Sequence, residues 1–457
     1  MLRLKNSQLT VWDEILPPEL RGLSEELGKI DRLLDDEKFM APFLQRFNSR
    51  MGRPTIPVET YLRLMYLKFR YNLGYEVLVR EVSDSFQWRR FCRISLNAAV
   101  PHSTTLIKLT RRYGAELLED LNQKLLLKCR EEKIIRGRKL RIDTTVMESD
   151  IHYPTDAGLL ADGVRVLTGI TRKLKGFGLA TRTGMQARTR SVKRRILEIS
   201  KALCVRSGQT YDRVKKITGN ILKTTEVVVS QAKKVLKNAG QALKRNSKKI
   251  KQGAKKLVGK LDEYIVLTEQ VIAQTREVQK GNRHIPNRVI SIFDREARPI
   301  CKGKLKSPTE FGRKILLQET EDRIITGYKV LEGNQTDGEV LIGAVEQHVE
   351  TFGRSPTAVA TDRGFSSKDN EEELIRLGVK RISIRQRGKP KAERKAYEKQ
   401  GWFKRLQKWR AGIEGTISVL KRKYGLERSR LRGTPGCEVW LGLGVFTYNL
   451  RRITALQ

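Results

Sequence analysis

The chain is 457 residues long, and 92 Lys and Arg against 51 Asp and Glu give it a formal net charge of +41 at pH 7. With 39% hydrophobic and 31% charged residues it holds enough apolar material for two or three cored domains, which excludes a disordered polycation. So large an excess of cations in a folding chain calls for a polyanionic partner, nucleic acid before a membrane surface, because phosphates relieve the self-repulsion. The five cysteines, Cys92, Cys129, Cys204, Cys301 and Cys437, are odd in number and widely spaced with no C-x-x-C, and read as reduced cytosolic thiols. The first 20 residues lack the apolar core of a signal peptide, and the most apolar stretch, 439–450, is too short to span a bilayer. The expectation is a cytoplasmic, nucleoid-associated protein with no membrane anchor.

Residues 57–133 carry helical periodicity, with Val58, Tyr61, Leu62, Met65 and Phe69 at i, i+3, i+4 spacing and Gly74 ending the first run. After Pro101 a hydroxyl of Ser103 or a neighbour is placed to cap a helix through Leu106, Leu109 and Tyr113. That helix carries Lys108, Arg111 and Arg112, which fits both a helix-turn-helix-like DNA reader and a plain bundle with a solvated basic face. At Lys139 the period drops to two: Leu140, Ile142, Thr144 and Val146 alternate with Arg141, Asp143 and Thr145, the pattern of a strand. The block 168–285 returns to helix and is loaded with cation pairs, among them Lys215-Lys216, Lys233-Lys234 and Lys248-Lys249, around a buried apolar stripe.

Strand signals follow at 289–293, 314–318, 324–331, 358–361 and 381–384, with helices between them at 338–349 and 368–377, predicting an α/β layer. The tract 289–306, with Lys302 and Lys304, reads as a strand and basic turn. The basic stretch 385–399 reads as a mobile connection. A helix is expected over 404–424, with Ile413, Ile417, Leu420 and Tyr424 facing the core.

In a chain this basic the acids need an explanation, and three stand out. Asp143 interrupts an apolar strand, Asp362 sits where the strand Val359-Ala360-Thr361 ends, and Glu414 shares a helical face with Arg410 and Lys421. Oxygen-only ligands of this kind suit hard Mg²⁺, and a pair of such ions supports in-line phosphodiester displacement. Taken singly, each acid also has a structural reading: Asp143 paired with Arg141 or another base, Asp362 capping the following helix, Glu414 an i,i+4 partner of Arg410. His152, Glu148, Asp150 and Asp156 lie nearby in sequence without the same strand setting.

Three segments, Leu140-Arg141-Ile142-Asp143-Thr144-Thr145, Ala360-Thr361-Asp362-Arg363-Gly364-Phe365 and Arg410-Ala411-Gly412-Ile413-Glu414 through Lys421, together resemble the DDE transposases of bacterial insertion sequences. The resemblance implies an RNase H-like mixed sheet flanked by helices, over 134–457 and interrupted by the basic helical insertion 168–285, behind an N-terminal helical domain at 1–133. It implies Asp143, Asp362 and Glu414 as catalytic, metal-holding residues for two Mg²⁺ ions, with Mn²⁺ able to substitute. Arg410 and Lys421 would grip DNA phosphates, and Lys108, Arg111 and Arg112 would contact DNA from the N-terminal domain. The implied reaction is cleavage at transposon ends followed by attack of the freed 3′-OH on target DNA, by a homodimer that synapses two ends. The family pattern Y-x-x-R-x-x-x-E-x-x-x-x-x-x-K is matched except at its tyrosine, where Gln407 stands, with Trp409 as an aromatic nearby. Two other classes fit the acids less fully: an RNase H-like nuclease or resolvase that uses water alone, and a domesticated, non-catalytic DNA-binding protein.

Overall fold

The computed structural model describes residues 1–5, 17, 22–47, 51–205, 208–245, 252–282, 284–301 and 309–457. Lys248-Lys249, Lys302 and Lys304 lie outside them. Two compact units emerge: residues 1–150 with 312–457, and residues 151–311. The expected insertion 168–285 falls inside the second.

The first unit opens with α1 (Glu25–Leu34), α2 (Ala41–Arg46), α3 (Val58–Arg70), α4 (Tyr75–Asp84), α5 (Phe86–Phe91) and α6 (Ser103–Glu131). The cap of α6 is His102 rather than a hydroxyl, its ring nitrogen accepting from the Thr104 N–H at 3.2 Å. Strand β1 (Lys139–Glu148) follows, and after the second unit come β3 (Thr309–Thr320), β4 (Ile325–Val330), α11 (Leu341–Phe352), β5 (Ala358–Ala360), α12 (Lys368–Arg376), β6 (Arg381–Ser383), α13 (Ala392–Lys399), α14 (Gly401–Lys423) and α15 (Gly433–Thr454). The basic stretch expected to be a mobile connection therefore contains a helix. It is pinned by Arg394, which pairs with Glu371 at 2.7 Å and Glu398 at 3.2 Å.

The second unit holds α7 (Asp156–Gly176), α8 (Thr189–Cys204), α9 (Thr210–Arg245), α10 (Gln252–Gln279) and β2 (Arg298–Cys301). Its helices share one apolar core that includes Leu160, Leu167, Val228, Val235, Leu261 and Val271, so the cationic residues ride on the outside of a packed bundle. The strand expected at 289–293 does not form. The Gln274 side chain takes both backbone groups of Val289, at 3.0 Å each, so that the segment is bonded to a helix instead of a ladder.

The sheet of the first unit is mixed, in the order β3-β1-β5-β6 with β4 also pairing β3. β1 runs antiparallel to β3 and parallel to β5, and β5 is parallel to β6. Alternation along β1 sends Leu140 and Ile142 into a core with Leu341, Val345, Phe365 and Leu374 from α11, α12 and the turn after β5. The opposite face packs on other helices. The N-terminal helices have no separate core: their apolar faces join those of α15 and of Met147, Ile315, Leu317 and Ile325 from the sheet. The apolar stretch 439–450 is the centre of this shared core. No helix among the described residues is long and apolar enough to cross a membrane.

On the α14 face, Arg141 is 2% exposed and Glu319, its cross-strand partner, is fully buried. The guanidinium meets the carboxylate at 2.9 and 2.8 Å, donates to the backbone carbonyl of Trp409 and lies 4.9 Å from the Trp409 ring centre. Glu319 also accepts from the Thr416 hydroxyl at 2.8 Å. Gly412 leaves room for this cluster, since a Cβ there would sit 2.5 Å from an Arg141 nitrogen. One ion pair thereby ties β1, β3 and two turns of α14 together. Burial pushes the Glu319 carboxyl up, against the pull of Arg141 and Thr416. Removing one partner strands a buried charge, at a cost of about 3–5 kcal/mol. We expect Arg141→Leu to lower the unfolding free energy of this unit by that amount, read from denaturant titration, and Arg141→Leu/Glu319→Leu to recover most of it; a single variant as stable as the wild type would show that the pair is not structural.

Candidate active site

β1 and β5 run side by side with Arg141 opposite Ala360. Two residues further along each, the period of two returns Asp143 and Asp362 to the face of Arg141, which is the face covered by α14. The Asp143 side chain is 15% exposed. One of its oxygens accepts from the Thr144 N–H at 2.8 Å, and the other lies 3.6 Å from the Arg410 guanidinium. Asp143 is therefore not paired with Arg141, whose charge is taken by Glu319.

Asp362 follows the last residue pair of β5 and accepts from the Gly364 N–H at 2.8 Å, capping the turn Arg363–Phe365 with one oxygen. Glu414 lies on α14 one turn after Arg410, whose guanidinium reaches it at 3.2 Å. Arg410 is thus shared between Asp143 and Glu414. The Glu414 side chain is 64% exposed and faces solvent.

Asp362 and Glu414 are both near enough to act on Asp143. Burial first, and then the charges of Asp362 and Glu414, push the Asp143 carboxyl up to about 6, against the Thr144 N–H and Arg410. Among the described residues no three His, Cys, Asp or Glu side chains close into a ready-made metal cage. What the site has is an oxygen-only set of like charges with a single guanidinium set between two of them.

A fourth carboxylate, Asp337, escaped the sequence reading. It accepts from the Thr144 hydroxyl at 2.8 Å and pairs with Lys314 at 2.6 Å. Both Asp337 and Asp362 lie against Gly364, where a Cβ would meet their oxygens at 2.7 and 2.8 Å, so a side chain there would push into both carboxylates. An Asp-Gly pair between a strand and a helix reads as an ordinary cap, and nothing in its spacing points toward Asp362.

Gln407, in the place of the tyrosine, has a definite role: its amide donates to the carbonyls of Thr361 at 3.2 Å and Ser383 at 2.6 Å, which ties α14 to the carboxyl ends of β5 and β6. Trp409 does not stand in for the tyrosine. It lies beside Arg141 and packs with Leu406, Ala358 and Ala360.

The other candidates separate from the carboxylates. Lys421 follows Glu414 by two helical turns and lines a different cavity. Lys108, Arg111 and Arg112 are exposed on the first half of α6, with Arg112 5.5 Å from the Phe47 ring centre. Glu148 pairs with Arg428 at 2.6 Å, Asp150 with Arg430 at 3.1 Å and Asp156 with Arg288 at 2.9 Å, so all three acids serve in ion pairs. His152 is exposed in the second unit, 3.4 Å from Asp162.

Two family comparisons bear on this arrangement. Residues 13–112 match the Transposase domain (DUF772), and residues 286–450 match the Transposase DDE domain, which takes in β3 to β6, Asp362, Arg410, Glu414 and Lys421. The chain is also similar to a Rhizobium meliloti protein described as "Uncharacterized protein ORF8 in nfe locus", 28% identical over 153 residues, which is 32% of this chain and 71% of that protein. No solved structure matches the chain. DDE transposases act on DNA, in general with divalent metal ions. With a transposase domain at each end and a mixed RNase H-like sheet between its helices, the chain belongs to the DDE transposases of insertion sequences.

Proposed function

We propose that Asp143, Asp362 and Glu414 are the catalytic carboxylates of this transposase and hold two Mg²⁺ ions during cleavage of transposon ends and transfer of the 3′-OH to target DNA. The observation that carries the reading is that Asp143, buried on β1, shares the Arg410 guanidinium with Glu414 and lies beside Asp362; burial first, and then the charges of those two acids, push its carboxyl up to about 6. Such a group needs positive charge beside it, and an all-oxygen donor set suits a hard divalent cation. When bound, the ions would activate water or a 3′-hydroxyl and stabilise the leaving oxygen.

The protein's own groups account for the rest. The Arg141–Glu319 pair and the Gln407 amide fix α14 against β1 and β5, so that Glu414 is held in position before DNA arrives. Arg410 offsets repulsion between Asp143 and Glu414 and, when a substrate phosphate enters, presents a guanidinium suited to it. Lys421 contacts a phosphate further along the same strand, and Lys108, Arg111 and Arg112 bind DNA from α6. Two copies would synapse the two ends, in the cytoplasm where the nucleoid supplies both the element and its target.

With labelled element ends, Mg²⁺ and a target plasmid, Asp143→Asn, Asp362→Asn and Glu414→Gln should each lower joining by at least on the order of 10²–10³, while DNA binding persists or tightens because repulsion of phosphate falls. A variant that still joins removes that residue from the site, and a wild-type chain that cuts without joining is a nuclease. Gln407→Leu leaves two strand-end carbonyls without their donor, worth about 1–3 kcal/mol. It should slow joining about tenfold or more and raise the Mg²⁺ concentration needed for half-maximal rate, with DNA affinity unchanged. Equal rate and metal dependence would confine Gln407 to packing.

A further inference from the structure

Lys68, near the end of α3, is 2% exposed, yet no hydrogen bond or ion pair reaches its ammonium among the described residues. Three rings surround it instead, with their centres 4.0 Å (Trp440), 4.3 Å (Phe69) and 4.7 Å (Tyr75) away. Aromatic faces favour an ammonium but do not neutralise it. Its remaining side borders a cavity of about 460 Å³, which is also lined by Lys421, Arg428 and Arg430. Against these four cations the lining holds a single carboxylate, Glu427. Arg428 and Arg430 are engaged by Glu148 and Asp150 at the end of β1, which fixes their position without filling the cavity.

Resting on the transposase reading, we propose that this cavity is a phosphate pocket, in which Lys68 and Arg430 together hold one backbone phosphate of the bound DNA. Burial, with Arg430 nearby, pushes the Lys68 ammonium down to about 7, so the site favours an anion that restores its charge. Placement agrees. Lys421 lies seven residues after Glu414 on α14, about 10 Å along the helix axis and on the same face, a span equal to about three base-pair steps measured along a duplex axis at 3.4 Å each. A DNA strand whose reacting phosphate lies at Glu414 would bring a later phosphate to the mouth of the cavity.

The full chain is titrated with a duplex of roughly 30 base pairs and arbitrary sequence, since the electrostatic part of binding is sequence-independent. Each lost phosphate contact should flatten the slope of log K against log salt by about 0.9. Lys68→Met keeps the packing against the three rings and should lose that amount. Arg430→Gln alters a side chain that is 61% exposed, so the fold is safe, and it should lose about the same. The double variant should lose no more than either single one, because the pocket holds its one phosphate only while both cations are present. Unchanged slopes in both singles overturn the pocket, as does a double variant that loses the sum of two contacts. A thermal shift by inorganic phosphate that Lys68→Met abolishes, with no change of slope, assigns the cavity to a free anion and overturns its part in DNA binding. A wild-type chain that fails to cut or join element ends while the Lys68→Met slope falls would sink the transposase reading and leave the pocket standing. A chain that joins ends with an unchanged Lys68→Met slope does the reverse.

Discussion

A guanidinium and a carboxylate buried face to face between neighbouring strands organise the functional half of this molecule. Arg141 and Glu319 neutralise each other, and each spends a further hydrogen-bonding group on α14, one on the Trp409 carbonyl and one through the Thr416 hydroxyl. A purely apolar contact would let the helix slide along the sheet or turn about its axis. Charged hydrogen bonds of fixed direction do not, and buried ion pairs act here through registry more than through net stability. The register of α14 then decides where Glu414 and Arg410 stand relative to Asp143. Arg141 and Asp143 belong to the same strand and the same face, so the residue that anchors the helix and the acid that the helix completes are set by one alternation.

The electrostatics of the site follow from that geometry. Three acids approach one another where a mixed sheet ends, and the nearest internal cation, Arg410, is shared by two of them. Burial first, and the charges of Asp362 and Glu414 after it, push the Asp143 carboxyl up. Asp337 is different in kind, because Lys314 balances it directly, and it acts as a neighbour that shapes the space beside Gly364. The chain's overall excess of cations therefore coexists with a small region in which one guanidinium serves two carboxylates.

Much of this was legible in the residues. The alternation around Asp143, the end-of-strand position of Asp362 and the common face of Arg410, Glu414 and Lys421 are local patterns, and each survives in the fold. What escaped reading depends on contacts between distant segments. The stretch 385–399 looks like a solvated basic linker until Glu371, from another helix, pairs with Arg394. Residues 289–293 have strand composition, but the Gln274 amide takes the backbone of Val289 first. The stretch 439–450 is apolar on all sides because α15 lies between the N-terminal helices and the sheet. The substitution of Gln407 for tyrosine looked like a departure from pattern, whereas its amide reaches two carbonyls that only the folded sheet brings together.

The central claim is that Asp143, Asp362 and Glu414 act as one cation-binding set. It is tested most directly by anomalous diffraction from crystals of the full chain grown with Mn²⁺ and a DNA duplex. Anomalous peaks coordinated by oxygens of all three side chains are expected. Manganese bound elsewhere with these carboxylates left uncoordinated, or bound by Asp143 and Asp337 with Glu414 turned away, would contradict it.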